Sequence, residues 1–340
     1  MKFSIRLNND LPVREYPPLA QAAENHGFDQ FWVSNDLFLR SAAVILTQVA
    51  LATRRIQIGT CILNPYTVHP SEIAMFAATM DELSGNRFNL GLAAGAGEFL
   101  KWVGIDQTKP LTMMRETVAV IRKLLHGHHA ELQGSLLKWG NEAYLRFKPA
   151  RSTPIYLGAM SENMIALAAK SCNGILPLLF PPEHFHEVQA MLSAAFAGET
   201  AVPQNEFDFA ACIWVSIDAD RSAARHELAK KIAYYGHALS PLIYTRLGVT
   251  RDDFRPIERA LMVEQNEGSA VALVNEKMLK IGVVGDADDL VGRLQPLIDA
   301  GARHLSFGPP LGPNPVHAIE YLGKHVLPRL KSRSGVRQPG

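Results

Sequence analysis

Apolar residues follow two rhythms along this chain. Short runs, apolar on both faces and often β-branched, begin near Lys2, Gln30, Ile56, Arg87, Pro154, Gly174, Asp208 and His304. Between them, apolar positions recur at helical spacing over 12–25, 42–53, 70–83, 111–126, 161–171, 182–197, 222–235 and 288–300. Strands without a polar face need cover on both sides, which helices of a parallel sheet supply. A glycine closes four of the helix-to-strand junctions: Gly27, Gly85, Gly174 and Gly301. Glycine takes the left-handed conformation without a Cβ penalty, so it stops a helix and turns the chain. Eight strand–helix repeats predict an α/β fold of the (β/α)8 TIM-barrel class, with its site at the C-terminal strand ends.

Two stretches break the repeat. Residues 127–150 predict a short β excursion. Residues 236–280 carry helical patches and predict an insertion between the seventh and eighth units, near the mouth if it leaves a strand end, where it would serve as a lid. No Pro-, Gly- or Ser-rich linker divides the chain, so 1–330 reads as one domain and 331–340 as a polar, frayed tail.

Composition narrows the function classes. Hydrophobic residues make up 47% and charged residues 20%, and the net charge is +1. That balance offers no field to attract nucleic acid or an anionic membrane. The cysteines Cys61, Cys172 and Cys212 are far apart and odd in number, which gives no disulfide framework and favours a reducing compartment. The N-terminus lacks a signal-peptide core, and no window approaches a membrane span, so a cytoplasmic protein is expected. Two His-rich spots, 126–129 and 184–186, have no metal-ligand frame such as HExxH, so no metal is expected.

The strings that carry chemistry cluster at predicted strand ends. The third strand ends in Thr60-Cys61-Ile62-Leu63 and runs into Asn64-Pro65-Tyr66-Thr67-Val68-His69-Pro70. Turn chemistry and a proline near a helix start explain the prolines, but not Tyr66 and His69. Gly95-Ala96-Gly97-Glu98 follows the fourth strand. It is a weak signal by itself, because Leu100 stands where a dinucleotide fingerprint needs its third glycine. Glu98 is a candidate acid or base, or else a solvated loop carboxylate. Gly158-Ala159-Met160-Ser161-Glu162-Asn163 joins the fifth strand to a helix, whose N-terminus suits a phosphate; Ser161 alone reads equally as an N-cap. Ser306-Phe307-Gly308-Pro309-Pro310-Leu311-Gly312-Pro313 forms a stiff wall after the last strand.

These strings resemble the bacterial-luciferase-like superfamily of flavin and deazaflavin enzymes, and within it the methylenetetrahydromethanopterin reductases. The resemblance covers about 2–330 and is most specific over 64–70; Lys109-Pro110-Leu111 and the helix after it are similar too. It implies an oxidoreductase that moves hydride between a deazaflavin, coenzyme F-420, and a small organic substrate. The cofactor would rest on a bulge at Cys61-Ile62, often a non-proline cis peptide, flanked by Leu63 and Asn64. Gly95 and Gly97 would admit the ring, and Gly158, Ala159, Met160, Ser161 and Asn163 would hold the phosphate. Asn35, Asp36 and Glu98 would face the reacting carbon. An ungapped alignment sets Ala96, not Glu98, at the acidic position.

Three departures matter. Arg6 stands where the reductases have a glutamate that could protonate a substrate nitrogen, which puts the pterin substrate in doubt. Asn35-Asp36 replaces an Asp-His pair. Ser161, Glu162 and Asn163 replace glycine, proline and lysine in the phosphate loop. If FMN is the cofactor instead, the resemblance implies a two-component monooxygenase; a non-catalytic flavin-binding protein is the third reading. A homodimer is expected from the superfamily.

Overall fold

The computed structural model describes residues 1–334, with side chains through Leu330. Strands β1 (Lys2–Leu7), β2 (Gln30–Val33), β3 (Gln57–Thr60), β4 (Phe88–Leu92), β5 (Ile155–Leu157), β6 (Gly174–Ile175), β7 (Asp208–Ile217) and β8 (His304–Leu311) all run parallel. β6 joins β7 through Gly174↔Asp208 and β8 returns to β1 through His304↔Lys2, so the eight strands close into a barrel. This is the TIM barrel that the repeats predict.

Helices α1 (Tyr16–Asn25), α2 (Ala42–Ala52), α3 (Pro70–Ser84), α4 (Gly97–Lys101), α5 (Pro110–Leu125), α6 (Glu162–Ser171), α7 (Phe185–Ala195), α8 (Arg221–Tyr235) and α9 (Ala287–Asp299) surround it. Their ends follow local chemistry. α3 starts on Pro70 and stops at Gly85, which takes φ +66°. The Asp220 side chain caps α8, and Asp286 with Asp289 forms a capping box on α9.

Strand alternation sorts the core into two layers. Phe3, Ile5 and Leu7 of β1 join the main core between strands and helices. Ser4 and Arg6, the residues between them, face the barrel axis. A smaller apolar cluster inside the barrel holds Trp32, Tyr156, Leu176, Ala210 and Cys212, with Cys61 and Ile62 packed against it.

A polar plug closes the N-terminal end of the barrel. Asp208 accepts hydrogen bonds from Tyr156 Oη at 2.9 Å and Lys2 Nζ at 3.0 Å, and lies 2.9 Å from His304 Nδ1. His304 Nε2 meets Ser4 Oγ at 2.8 Å. Burial alone would raise the Asp208 carboxyl, but His304 and Lys2 outweigh it and hold the group well below the usual carboxylate range.

Two details differ from expectation, the start of the insertion and the last helix. A ninth strand, Val283–Gly285, pairs with β7 at Val215–Ile217. The insertion therefore leaves the end of α8 rather than a strand end. Its helices include Pro241–Leu247, Glu267–Ala272 and Glu276–Leu279, and they build their own apolar core against Phe180 and Trp214. The expected excursion at 127–150 is an antiparallel hairpin, Leu132–Gln133 with Lys138–Trp139. The last helix, Leu327–Ser334, continues into the segment expected to fray; the remainder of the polar tail lies outside the described residues.

Candidate active site

β3 ends at Thr60, and the chain then bulges. Cys61 N–H still bonds Val33 O at 2.8 Å, and Leu63 N–H bonds Gly91 O at 2.8 Å. Between them the Cys61–Ile62 peptide is cis, as the resemblance implied. Thr60 holds the neighbouring strand at Gly91, where a Cβ would meet Thr60 O at 2.0 Å, so only glycine permits the approach.

Three loops converge on this bulge. A Cβ on Gly158 would lie 2.9 Å from Ala93 Cβ and 3.5 Å from Ile62 Cγ2. Gly95 takes φ +73° with the Asn64 amide directly against it, where a Cβ would meet Nδ2 at 2.2 Å. Asn64 Oδ1 in turn accepts from Tyr66 N–H at 2.9 Å. The glycines thus let these loops pack directly against the side chains of the bulge. After β5, Ala159 is buried, while Met160, Ser161, Glu162 and Asn163 are exposed. Ser161 sits at the N-cap of α6 but its hydroxyl makes no capping hydrogen bond. The first N–H groups of α6 therefore face outward, as an anion would require.

Arg6 is 5% exposed, yet its Nε and Nη2 have no hydrogen-bond partner. Its guanidinium lies against Gly308, where a Cβ would meet Nη2 at 2.3 Å. Above it stands Lys231 of α8, with Nζ 4.2 Å from the Tyr235 ring centroid and 5.1 Å from that of Trp214. Burial draws the Lys231 amine down to about 8; Asp10 and Asp36 oppose that and Arg6 adds to it.

Asp36 follows β2 and shares this space. The residue is exposed, but the walls crowded around its carboxyl raise it above the usual range by desolvation, with Lys231 and Arg6 opposing the shift and Asp10 reinforcing it. Two thiols complete the floor. Cys61 is pushed up by the neighbouring Cys212 thiol and by burial. For Cys212 burial works the other way from its neighbours, and the Cys61 hydrogen bond and Arg6 draw it below the ordinary thiol range.

The expected site residues divide accordingly. Cys61, Ile62, Leu63, Asn64, Gly95 and Gly158 come together at the bulge, with Asp36 near enough to act on the Cys61 thiol. Asn35 Oδ1 is turned to Ala42 N–H at 3.2 Å, at the start of α2. Gly97 and Glu98 lie on α4, beside a concavity of about 820 Å³ lined also by Lys101, Asp106, Gln107 and Thr108. Glu98 is exposed, and among the described residues no hydrogen bond or ion pair ties it to Asp36 or to the bulge. Tyr66 Oη donates to Thr108 O, and His69 caps α3 and stacks on Trp139. The sequence reading missed Lys231, Trp214, Tyr235 and Cys212. Only Cys212 and Trp214 had a signal, the alternation of β7 from Asp208 inward.

The His-rich spots are occupied locally. His126 Nδ1 lies 2.7 Å from Arg122 O, His129 stacks on Tyr144, and His184 faces Glu187 at 3.2 Å.

The luciferase-like monooxygenase family model matches residues 1–304. A 5,10-methylenetetrahydromethanopterin reductase of Archaeoglobus fulgidus is 32% identical over 335 residues, covering 97% of this chain and 100% of the relative. An F-420-dependent glucose-6-phosphate dehydrogenase of Nakamurella multipartita is 27% identical over 94% of each chain. The solved structure of the coenzyme F-420-dependent tetrahydromethanopterin reductase of Methanopyrus kandleri superposes with a TM-score of 0.88 at 28% identity, over 97% of this chain and 99% of that one. The chain belongs to the luciferase-like family.

Proposed function

We propose that this chain is an oxidoreductase that uses a deazaflavin, coenzyme F-420, to move hydride to or from a small organic substrate at the C-terminal mouth of the barrel. The observation that carries this reading is the bulge after β3 with the loops of Gly95 and Gly158 packed against it, in a chain whose full-length relatives include a coenzyme F-420-dependent tetrahydromethanopterin reductase and an F-420-dependent glucose-6-phosphate dehydrogenase. Shared cofactor and divergent substrate is the pattern expected when one end of a site is kept and the other rebuilt.

The residues fit a flat ring with a phosphate tail. The bulge at Cys61 and Ile62, continued by Leu63 and Asn64, would support one face. At Gly95 and Gly158 a Cβ would meet Asn64 and Ala93, so glycine lets both loops pack closely against the bulge that would carry the ring. The backbone of 158–163 would take the phosphate at the start of α6, with Ser161 and Asn163 alongside. A deazaflavin supplies a carbon that gives or accepts hydride and does not readily activate oxygen. The chain's own part is orientation, exclusion of water and handling of the proton. Asp36, whose carboxyl is raised by the crowding around it, is the first candidate to exchange a proton with the substrate. Glu98, on the rim, is the second candidate for that exchange. Asn35 supports the entry to α2.

A homodimer completes the reading. Val44 and Leu51 of α2 and Met75 and Leu83 of α3 are exposed, an apolar face of adjacent helices suited to a second copy. No helix among the described residues is long and apolar enough to cross a membrane. The test of function is anaerobic reoxidation of reduced F-420 by a panel of small carbonyl and imine compounds. Turnover that survives in Glu98→Gln and falls in Asp36→Asn supports the assignment; equal turnover in Asp36→Asn removes Asp36 from it.

A further inference from the structure

Among the described residues, Arg6 is a buried cation that the barrel interior leaves without a carboxylate partner at the mouth end. The residue is 5% exposed, and both Nε and Nη2 are buried without a partner. Those two nitrogens form one edge of the guanidinium, the edge whose two parallel N–H bonds match a carboxylate. The same edge meets a carboxylate elsewhere among the described residues, as at Arg151 and Arg293. Arg151 places Nε and Nη2 on the two Asp81 oxygens, both at 2.9 Å, and Arg293 places them on Glu183 at 2.7 and 3.0 Å. In both cases the carboxylate comes from the chain itself. At Arg6 it does not.

Lys231 is the second cation of the same space. It rests on the faces of Tyr235 and Trp214 and, among the described residues, forms no ion pair. Asp10 and Asp36 lie within its field, but neither is within ion-pairing distance of Lys231 or Arg6. Lys231 is half-buried, whereas the buried guanidinium of Arg6 without a partner is strongly unfavourable and persists where a ligand completes it. Gly308 is part of the device, since any side chain there would occupy the place of the guanidinium.

We infer that the substrate of this chain carries a carboxylate, received on the Nε–Nη2 edge of Arg6 with Lys231 as the second cation. This deepens the proposed function and rests on its reading of the mouth as the substrate site. It assigns the substrate to the class of small organic acids, with the reacting carbon near the acid group. Cys212 and Asp36 both lie in the field of Arg6, and the test separates an internal partner from a bound acid.

The test uses the purified full chain and matched probes: pyruvate, benzoate and phenylacetate, each beside its neutral amide. Binding is followed by quenching of tryptophan fluorescence, since Trp214 lies against Lys231. At least one acid is expected to bind ten-fold or more tighter than its amide, and Arg6→Gln is expected to remove that preference while coenzyme F-420 binding stays unchanged. Thermal unfolding gives an independent readout. Arg6→Met is expected to melt above the wild type without ligand and to lose the rise that the acid produces.

Acids and amides binding alike in every pair would overturn the inference. So would acid binding untouched in Arg6→Gln, as would a lower melting temperature for Arg6→Met, which would make the guanidinium a structural partner of Cys212. Loss of F-420 binding in Arg6→Gln, with acid binding kept, would reassign the edge to the cofactor and overturn it as well. Acid binding through Arg6 in a protein that does not bind F-420 would leave the inference standing and remove the hydride-transfer reading instead.

Discussion

Asn9 grips the Asp36 peptide from both sides: its Oδ1 accepts from Asp36 N–H at 3.1 Å, and its Nδ2 donates to Asp36 O at 3.1 Å. The same Nδ2 also donates to Arg40 O at 2.6 Å. Asn9 is fully buried, so these bonds fix the loop after β2 against the end of β1. Asn9→Ala leaves several buried backbone groups unanswered and is expected to cost about 2–3 kcal/mol of stability. Turnover is expected to fall with it, while F-420 binding holds. Denaturant unfolding and a cofactor titration check the two halves separately.

Asp36 itself gives a pH prediction. Its carboxyl is raised, so it keeps its proton to a higher pH than an ordinary aspartate. Turnover that needs the protonated form is present below that pKa and is lost as the pH rises through it. Lys231 lowers the Asp36 pKa, so Lys231→Ala is expected to move the limb of the kcat profile upward. Asp36→Asn is expected to reduce kcat by about 10²–10⁴-fold. A limb that stays in place in Lys231→Ala would separate Asp36 from the proton step.

The barrel floor has the opposite sign. Asp208 is depressed in the folded state, so its contribution to stability is present above the unfolded carboxylate pKa. It is lost as the pH falls through the folded value. Asp208→Asn leaves His304 and Lys2 without their carboxylate and is expected to cost about 3–5 kcal/mol near neutral pH, and less in acid. Urea unfolding of wild type and variant across pH 3–7 would show the difference shrinking toward the acid end.

Gly95 is placed to test the cofactor wall. Its φ of +73° and the Asn64 amide at 2.2 Å from a built Cβ both oppose a side chain. Gly95→Ala is expected to lose about 1–3 kcal/mol and to weaken F-420 binding beyond that, whereas Gly104→Ala, with φ +72° but open space, is expected to pay the backbone term alone.

The proposed dimer rests on Leu51, which is 65% exposed in the single chain. Leu51→Asp is expected to shift the mass measured by light scattering from a dimer to a monomer without unfolding the barrel.

Much of the barrel was legible because its strands are apolar on both faces and its helices end on glycine. The strand Val283–Gly285 was not, since three residues between an insertion and a helix carry no period. The bulge and the glycine loops were legible by resemblance, because each is a contiguous string. Lys231 and Tyr235 were not, for they come from the middle and end of a surface helix that the barrel's curvature brings over the mouth. Asn35 shows the limit of strings: it lies beside Asp36 in sequence, but its side chain turns to Ala42.

The most direct test of the central claim is a titration of the purified protein with oxidised coenzyme F-420 and, separately, with FMN, followed by tryptophan quenching. Hydride transfer from a deazaflavin requires micromolar binding of F-420 and much weaker binding of FMN. The reverse preference would contradict it and point to an oxygen-using monooxygenase.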